Sequence, residues 1–453
     1  MFYNFRLSSW REPMLCLLAI LYAVISSIWH LFILLPVVAI GVYFLINRKL
    51  LFSYLIPWLT LYLVFTPIFG FNVSLSFTVL SIVGALSFVK YLQVHLHQKV
   101  TKLFIIYILC MGVGLIYSPN IQLGLKLMVY NILAFLILLA GQQLASRYST
   151  EKILKHVVIL GIPVGVINII FLFIPNLEIS FLKSSIAPFF VDPGALQTLF
   201  NEGYNNILDP RKAGTFFVNT NVAAVFFGIL FWLSVSLKMK TISKVYNIPI
   251  IVYFLALLST NSRAGLGAFI FVSIVLILLN INNQKTWISI IIFTVPAIIL
   301  IILLINSGLF DNIVNRLSIS AISQDPRMII WQFAISHIHP IIGLGYGGWE
   351  NISYQMGKQF ENFPPHNHLL IVWSWSGILG VVGFLTLILG ILYIAIKKYR
   401  KTKNVLYLSI LGIYLTVGFQ GMFDNYFFHN YNILVLLFLV TGLILFEKNS
   451  VVK

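Results

Sequence analysis

Long apolar segments recur along almost the whole of this 453-residue chain. Each is long enough, or nearly so, to cross about 30 Å of hydrocarbon as a helix. They lie at 13–29, 31–46, 50–67, 74–92, 102–117, 124–145, 157–175, 214–237, 247–261, 264–281, 286–306, 367–395, 404–422 and 431–446. Two neighbouring pairs, within 14–46 and 247–281, are separated only by short polar interruptions. The pattern therefore predicts an all-α, polytopic membrane protein with 12–14 transmembrane helices.

The composition excludes an ordinary soluble protein. Hydrophobic residues make up 60% of the chain and charged residues only 9%, whereas a soluble domain carries roughly 25% charged residues. The two cysteines, Cys16 and Cys110, both fall in apolar segments. A disulfide-stabilised secreted domain is therefore excluded as well.

The basic residues predict the orientation of the helices. With the N-terminus inside, all but eight of the 29 Lys and Arg residues fall on the cytoplasmic side, as the positive-inside rule requires. The outer eight are Lys126, Lys183, Arg211, Lys212, Arg263, Arg316, Arg327 and Lys358. We therefore expect both termini to be cytoplasmic. The net charge of +17 is then a topology signal, and no nucleic-acid partner is expected.

This orientation divides the chain into five parts. N-terminal transmembrane helices span 1–175, central helices 214–306 and C-terminal helices 367–453. Between them, 176–213 and 307–366 form two long outer loops. We expect the chemistry to lie in these loops or in the membrane.

The second outer loop contains a predicted amphipathic helix. Asp325-Pro326-Arg327 forms a helix start, with Asp as N-cap and Pro in the first turn. The helix is predicted to run to about His337, with Met328, Trp331 and Ile335 on one side, and to lie along the outer membrane face. The glycine-rich turn 343–348 follows. Without a strand–turn–helix context it favours a plain loop or a sugar-contacting turn over a nucleotide site.

His366 is the principal candidate for acid–base chemistry. It follows Pro364-Pro365 at the predicted start of a membrane helix. The positive end of the helix dipole disfavours an imidazolium, so we expect His366 to accept a proton. The alternative is an N-cap or an interfacial polar residue. His368 ranks second, and the spacing of the remaining outer histidines, His337, His339 and His429, indicates no zinc site.

Three groups of polar residues stand near the outer ends of other predicted helices. Arg263 lies between two apolar segments, where an arginine is costly unless it faces a cavity or snorkels to the surface. Arg211 precedes the helix predicted from 214, and Asn219 and Asn221 are placed inside that helix. The asparagines are either interhelical hydrogen-bonding residues or contacts for a sugar or pyrophosphate. The predicted helix starts at Gly214, Arg263 and His366 all face outward, and together they would form an anion site.

These residues also resemble a known family. Arg211-Lys-Ala-Gly-Thr-Phe-Phe-Val-Asn-Thr-Asn221 is similar to the Gly-Thr-Phe…Asn-x-Asn segment of the O-antigen ligase and polymerase superfamily, and Ser262-Arg263-Ala-Gly to its Ser-Arg-Gly element. Arg327 to Trp331 and Pro340 to Gly345 resemble its Arg-x-x-x-Trp and Pro-x-x-Gly-x-Gly elements. His366-Asn367, with Gly377 and Gly380, resembles its His-Asn…Gly-x-x-Gly signature. Trp375 departs from the pattern, since many members carry an acidic residue there.

The resemblance implies a metal-independent glycosyltransferase without a cofactor. Its donor would be an undecaprenyl-pyrophosphate-linked oligosaccharide. His366 would deprotonate the acceptor hydroxyl, and Arg263 and Arg327 would stabilise the pyrophosphate. Arg211, Asn219, Asn221 and Asn367 would bind substrate. The resemblance also implies a multi-pass protein of the bacterial inner membrane, with membrane lipid and the flippase and chain-length regulator of its pathway as partners.

Polymerisation of a capsule, exopolysaccharide or O-antigen is favoured over ligation of O-antigen to lipid A core, because polymerases occur in more pathways. Two other classes of membrane protein are alternatives. A lipid-linked glycan flippase would carry its charges inside the helix bundle. A shape or division peptidoglycan synthase would use an outer-loop acid such as Asp311 or Asp424, but the His-Asn and Ser-Arg elements do not fit it.

Overall fold

The structure, a computed structural model, describes residues 3–30, 65–68, 71–192, 211–280, 325–357, 363–429 and 431–447, with isolated positions at 196–199 and 288–299. The predicted segment 31–46, most of 50–67 and of 286–306, and the acid Asp311 lie outside the described residues. Two compact units are present. The first comprises 1–79, 147–303 and 404–416, and the second comprises 80–146, 304–403 and 417–453.

The described residues are almost entirely helical. The helices are α1 Tyr3–Ile28, α2 Leu75–Lys90, α3 Leu92–His97, α4 Lys99–Gly112, α5 Ile121–Arg147, α6 Thr150–Leu160, α7 Ile162–Phe173, α8 Pro175–Lys183, α9 Thr220–Thr241, α10 Asn247–Ser259, α11 Arg263–Leu279, α12 Pro326–His337, α13 Gly348–Ser353, α14 His368–Thr402, α15 Leu406–Gly421, α16 Tyr426–His429 and α17 Tyr431–Leu445. Most long apolar segments of the sequence correspond to one of them.

Four helical stretches within the described ranges are long and apolar enough to cross a membrane: Ile121–Arg147, Thr150–Phe173, Thr220–Thr241 and His368–Thr402. Six shorter apolar helices accompany them. These helices indicate a membrane protein, with four helices that could span the bilayer. The total of 12–14 crossings and the cytoplasmic termini stay predictions.

A short antiparallel ladder was not expected. Strand β1, Phe65–Ile68, pairs with strand β2, Phe71–Ser74, where the sequence predicted the end of one membrane helix and the start of the next. Pro67 lies in β1. A proline cannot donate a helical backbone hydrogen bond, which disfavours continuation of a helix through this position.

In the first unit, α9 forms the core. It is buried on all sides from Thr220 to Leu237, apart from the half-buried Asn221, as expected of a helix that is apolar all round. Its Trp232 indole N–H donates to the hydroxyl of Thr416 at 3.2 Å. Phe231 and Phe269 pack edge to face with ring centroids 5.2 Å apart. This interior supports the N-terminal ends of α9 and α11.

In the second unit, α14 is kinked at Ser376 and Gly377, where the backbone leaves helical geometry. The loop segment 341–344, which precedes α14, supplies the hydrogen bonds that the kink removes. The amide of Leu344 donates to the carbonyl of Ser374 at 2.6 Å, and the amide of Ile378 donates to the carbonyl of Ile341 at 3.1 Å. Backbone that is irregular at membrane depth is tolerated when protein satisfies it in this way.

The glycine-rich turn 343–348 has a structural role at this kink. Gly343 has a φ of +75°, and a Cβ there would lie 2.5 Å from the carbonyl oxygen of Trp373. Gly377 has a φ of +60°, and its Cβ would lie 1.9 Å from the carbonyl oxygen of Ile341. Only glycine permits this contact between loop and helix. Gly377, the first glycine of the Gly-x-x-Gly element, thus lies where the backbones of the loop and the helix approach each other closely.

The amphipathic helix α12 begins as predicted, and its buried face is formed by residues that the sequence did not single out. Asp325 caps the helix, accepting from the amide of Arg327 at 3.0 Å. Its side chains Ile330 and Ala334 are buried against Ile338, Trp349 and Leu370. Met328 and Ile335 are exposed and Trp331 is half-buried, so the side predicted to lie along the outer membrane face is not the buried side of α12, and its placement on the membrane stays a prediction.

Candidate active site

In the second unit, His366 lies next to Asp424. The imidazole Nδ1 is 3.4 Å from the carboxylate Oδ1 of Asp424. The His366 side chain is 22% exposed, whereas that of Asp424 is 5% exposed. A partly accessible imidazole therefore contacts a buried carboxylate. From the sequence, Asp424 is a candidate only as the outer-loop acid of a peptidoglycan synthase.

The surroundings of Asp424 keep its carboxylate ionised. Burial alone would raise the pKa of this carboxyl. The hydrogen bond and charge of His366, the amide of Asn425 and the charge of Arg327 outweigh burial and lower the pKa to about 2. An ionised Asp424 can only accept hydrogen bonds. When the imidazole is neutral, its proton is therefore held on Nδ1, which leaves Nε2 able to accept a proton.

Arg327 belongs to the same electrostatic group. It stands in the first turn of α12, and its Nη1 atom is 3.6 Å from Oδ2 of Asp325. Its charge also contributes to the low pKa of Asp424. The second unit thus brings together two of the three predicted catalytic residues, His366 and Arg327, around one buried carboxylate.

Asn367 has a defined structural role at the start of α14. Its Oδ1 accepts from the amides of Leu369 and Leu370 at 2.8 and 3.3 Å, so Asn367 is the N-cap, and α14 begins at His368. Its Nδ2 donates to the carbonyl of Met422 at 3.1 Å. Asn367 therefore joins the His366 segment to the Asp424 loop, and its contact with substrate stays a prediction.

The other histidines of this unit have structural surroundings. His368 is 2% exposed, accepts from the amide of Phe427 at 3.3 Å and packs against phenylalanine rings. His337 stacks on Phe333 at 3.8 Å, and His339 accepts from nearby amides. Within the described part of the chain, no three His, Cys, Asp or Glu side chains form a metal-binding group.

In the first unit, the N-terminal ends of α9 and α11 meet. Asn219 caps α9, and Asn221 lies in its first turn, one turn earlier than predicted. The hydroxyl of Ser262, the N-cap of α11, donates to Oδ1 of Asn221 at 2.7 Å. Arg263 is the first residue of α11 and is half-buried. Two of the three helix ends predicted to form an anion site are thus adjacent, and the third, that of α14, belongs to the second unit.

The segment that carries Arg211 is fixed to this corner. The carbonyl of Arg211 accepts from Nδ2 of Asn261 at 3.1 Å, and the amide of Ala213 donates to the carbonyl of Ser259 at 3.0 Å. The hydroxyl of Thr215 donates to Asn168. Gly214 does not begin the helix, since a short 3₁₀ turn, Thr215–Phe217, precedes α9. Arg211, Asn219, Asn221 and Arg263 therefore lie in one corner of the first unit.

Glu178 is a further polar residue of this corner that the sequence did not single out. It is 2% exposed, and its Oε1 accepts from the amides of Gly214 and Thr215 at 2.9 and 3.0 Å. Burial raises the pKa of the carboxyl to about 7, although the two amides oppose the shift. The sequence signal for Glu178 was its scarcity and its position: it is one of only 12 acidic residues in the chain, and it follows Pro175 by three positions.

The sequence also matches a known family. Residues 248–385, which include Arg263, Arg327 and His366, match the sequence model of the family described as O-antigen ligase. Arg211, Asn219, Asn221, Glu178 and Asp424 lie outside the matched residues. No curated protein matches the chain at a significant level. Residues 248–385 are therefore similar to the O-antigen ligase family, which supports the resemblance to the O-antigen ligase and polymerase superfamily.

Proposed function

We propose that this protein is a metal-independent glycosyltransferase of the bacterial inner membrane. It polymerises repeat units of a capsule, exopolysaccharide or O-antigen on the outer face of that membrane. Its donor is an undecaprenyl-pyrophosphate-linked glycan. The observation that carries the proposal is the contact between His366 and Asp424, in a chain whose matched domain is that of a glycan-transferring family.

In this mechanism His366 is the general base. Asp424 holds the proton of the imidazole on Nδ1, so Nε2 faces the acceptor hydroxyl and removes its proton. The acceptor oxygen then forms a bond to the anomeric carbon of the donor sugar. The bond between that carbon and the pyrophosphate oxygen breaks, and the electron pair stays on the lipid pyrophosphate. Asp424 stabilises the imidazolium that results.

The arginines act on the leaving group. Arg263 and Arg327 bind the lipid pyrophosphate and stabilise the negative charge that grows on it, with Arg211 as a further contact. Asn219, Asn221 and Asn367 contribute hydrogen bonds to substrate. The helix ends at Asn219 and Ser262 support an anion through their positive dipoles. The flippase and chain-length regulator of the same pathway are the expected partners.

A genetic complementation experiment tests the proposal. The gene is deleted and restored as wild type, His366→Ala or His337→Ala, and lipid-linked and surface glycans are resolved by size. His337 lies in the same loop, and within the described part of the chain it contacts Ser336 and Phe333 of its own helix, so it is the matched control. We expect single repeat units to accumulate with His366→Ala and normal polymer to form with His337→Ala.

Ligation of O-antigen to lipid A core is the second candidate, because the matched family carries the description O-antigen ligase. Long chains retained on the lipid carrier in the His366→Ala strain would assign the protein to ligation. Repeat units that accumulate on the cytoplasmic side would assign it to flipping. Normal polymer in that strain would remove His366 from the mechanism.

A further inference from the structure

His366 has an unusual backbone conformation. Its φ is +49°, in the left-handed region, which few residues other than glycine adopt. Such conformations cost free energy and persist where surrounding contacts hold them. The contacts that hold the backbone next to His366 therefore bear on the position of the proposed base.

Two tryptophan side chains hold the segment directly before His366. The indole N–H of Trp331 donates to the carbonyl of Pro365 at 2.9 Å, and that of Trp349 donates to the carbonyl of Phe363 at 2.7 Å. Pro364 and Pro365 have no backbone N–H of their own. The carbonyls are therefore the main backbone groups by which this segment can be fixed, and two of its three are bound by indoles.

Trp331 also contacts the other side of the His–Asp pair. Its ring lies 6.3 Å from that of Phe423, between centroids. Pro365 and Phe423 are the residues immediately before His366 and Asp424. Trp331 therefore touches the chain neighbours of both partners, and it lies one helical turn after Arg327 on α12.

The tryptophans are themselves held in a packed cluster. Trp349 is 2% exposed and is part of the buried group formed with Ile330, Ala334, Ile338 and Leu370. Trp331 packs against the same group. Their N–H groups are thus presented from a fixed core and not from mobile surface chains.

We propose that Trp331 and Trp349 are positioning residues that clamp the Phe363–Pro365 segment and thereby hold His366 in its left-handed conformation against Asp424. Trp331 makes the larger contribution, because its carbonyl partner adjoins His366. The effect on transfer rests on the proposed role of His366 as the base. The effect on the position of His366 does not depend on that role.

The experiment uses the full-length protein in lipid nanodiscs, with lipid-linked repeat unit purified from the deletion strain as donor. The variants are Trp331→Phe, Trp349→Phe and a protein with β-(3-benzothienyl)alanine at position 331, which keeps the ring shape and lacks the N–H. Trp373→Phe is the control, since its indole donates at 3.0 Å to the carbonyl of Pro340, outside the clamped segment. Transfer rates and modification of His366 by diethyl pyrocarbonate are measured.

We expect both position-331 variants to lower kcat by about tenfold to a hundredfold with KM within about twofold, because the base is misplaced while donor binding is kept. Trp349→Phe should have a smaller effect in the same direction, and Trp373→Phe should stay within about twofold. His366 should be modified several-fold faster in the position-331 variants.

Unchanged kcat and unchanged modification in both position-331 variants would overturn the proposal. An equal loss in Trp373→Phe would also overturn it, because it would indicate general loosening of the loop. If the wild-type protein transfers no glycan, the proposed function fails, and the modification rates alone then decide whether the clamp exists.

Discussion

The imidazole of His366 and the carboxylate of Asp424 lie 3.4 Å apart, although they are 58 positions apart in the chain. Because the carboxylate is buried and ionised, it fixes which imidazole nitrogen carries the proton. This relationship gives the proposed base its orientation and also its proton-accepting atom.

Replacing Asp424 with asparagine should impair catalysis while the fold is kept. The amide is nearly isosteric but can donate to Nδ1, which favours the wrong tautomer of His366. In a comparable Asp–His pair such a change lowers kcat by about 10⁴. We expect a loss of about 10²–10⁴ in kcat, measured with purified protein in nanodiscs. A rate within about threefold of wild type would show that Asp424 does not orient the base.

Removing either of the arginines that we propose to bind pyrophosphate should lower the transfer rate. Loss of one pre-organised group that stabilises developing charge typically costs about 10²–10³ in rate. Arg263→Ala and Arg327→Ala are each expected to lose this much, with membrane insertion unchanged. Lysine at either position should restore only part of the rate, because it cannot bind two oxygens in parallel.

Arg400→Ala is the control for the arginine variants, since Arg400 is exposed in the last turn of α14. It should transfer at the wild-type rate. Equal rates in the Arg263, Arg327 and Arg400 variants would mean that neither of the first two contacts the leaving group.

Glu178 predicts a pH dependence of stability. Burial raises the pKa of its carboxyl from the usual 4.5 to about 7, so the folded state holds this proton more tightly than the unfolded state. The contribution of Glu178 is therefore fully present below pH 4.5 and is lost as the pH rises to about 7. The thermal unfolding midpoint in detergent should fall across this range.

Glu178→Gln should flatten that dependence, because glutamine does not titrate. The stabilising contribution of Asp424 lies in a different pH range, because it is lost as the pH falls from about 4 toward 2. If the unfolding midpoints of the wild type and Glu178→Gln change equally with pH, Glu178 is not the source of the pH dependence.

Gly377 should not tolerate a side chain. Alanine there would combine a φ of +60° with a Cβ 1.9 Å from the carbonyl oxygen of Ile341. We expect Gly377→Ala to destabilise the fold by at least about 2 kcal/mol. Gly418→Ala is the control, because nothing lies within 4 Å of a Cβ at that position. Thermal unfolding of the two variants compares them directly, and equal midpoints would contradict the assigned close approach.

The helices were largely predictable from the sequence, because apolar length is a local property. α5, α10 and α11 begin and end within about three residues of the predicted segments. The start of α12 at Asp325 and Pro326 was predicted correctly from its capping residues.

The pairing of His366 with Asp424 was not predictable, because it depends on how separate helices pack. The same holds for the contacts of Glu178 with Gly214 and for the buried face of α12. The kink at Ser376 and Gly377 was hidden within one continuous apolar run. Local composition indicates which segments are apolar. It does not indicate where a helix is interrupted and another segment of the chain supplies the missing hydrogen bonds.

The kink in α14 has a consequence for protein engineering. Because residues 341–344 complete the hydrogen bonding of residues 374–378, the loop before α14 and this part of α14 form one exchangeable unit. A chimera that takes this loop from a relative, in order to alter glycan preference, should take both segments from the same parent. Grafting the loop alone would leave the helix with broken backbone pairing, and the hybrid would fail at assembly before its specificity was ever tested.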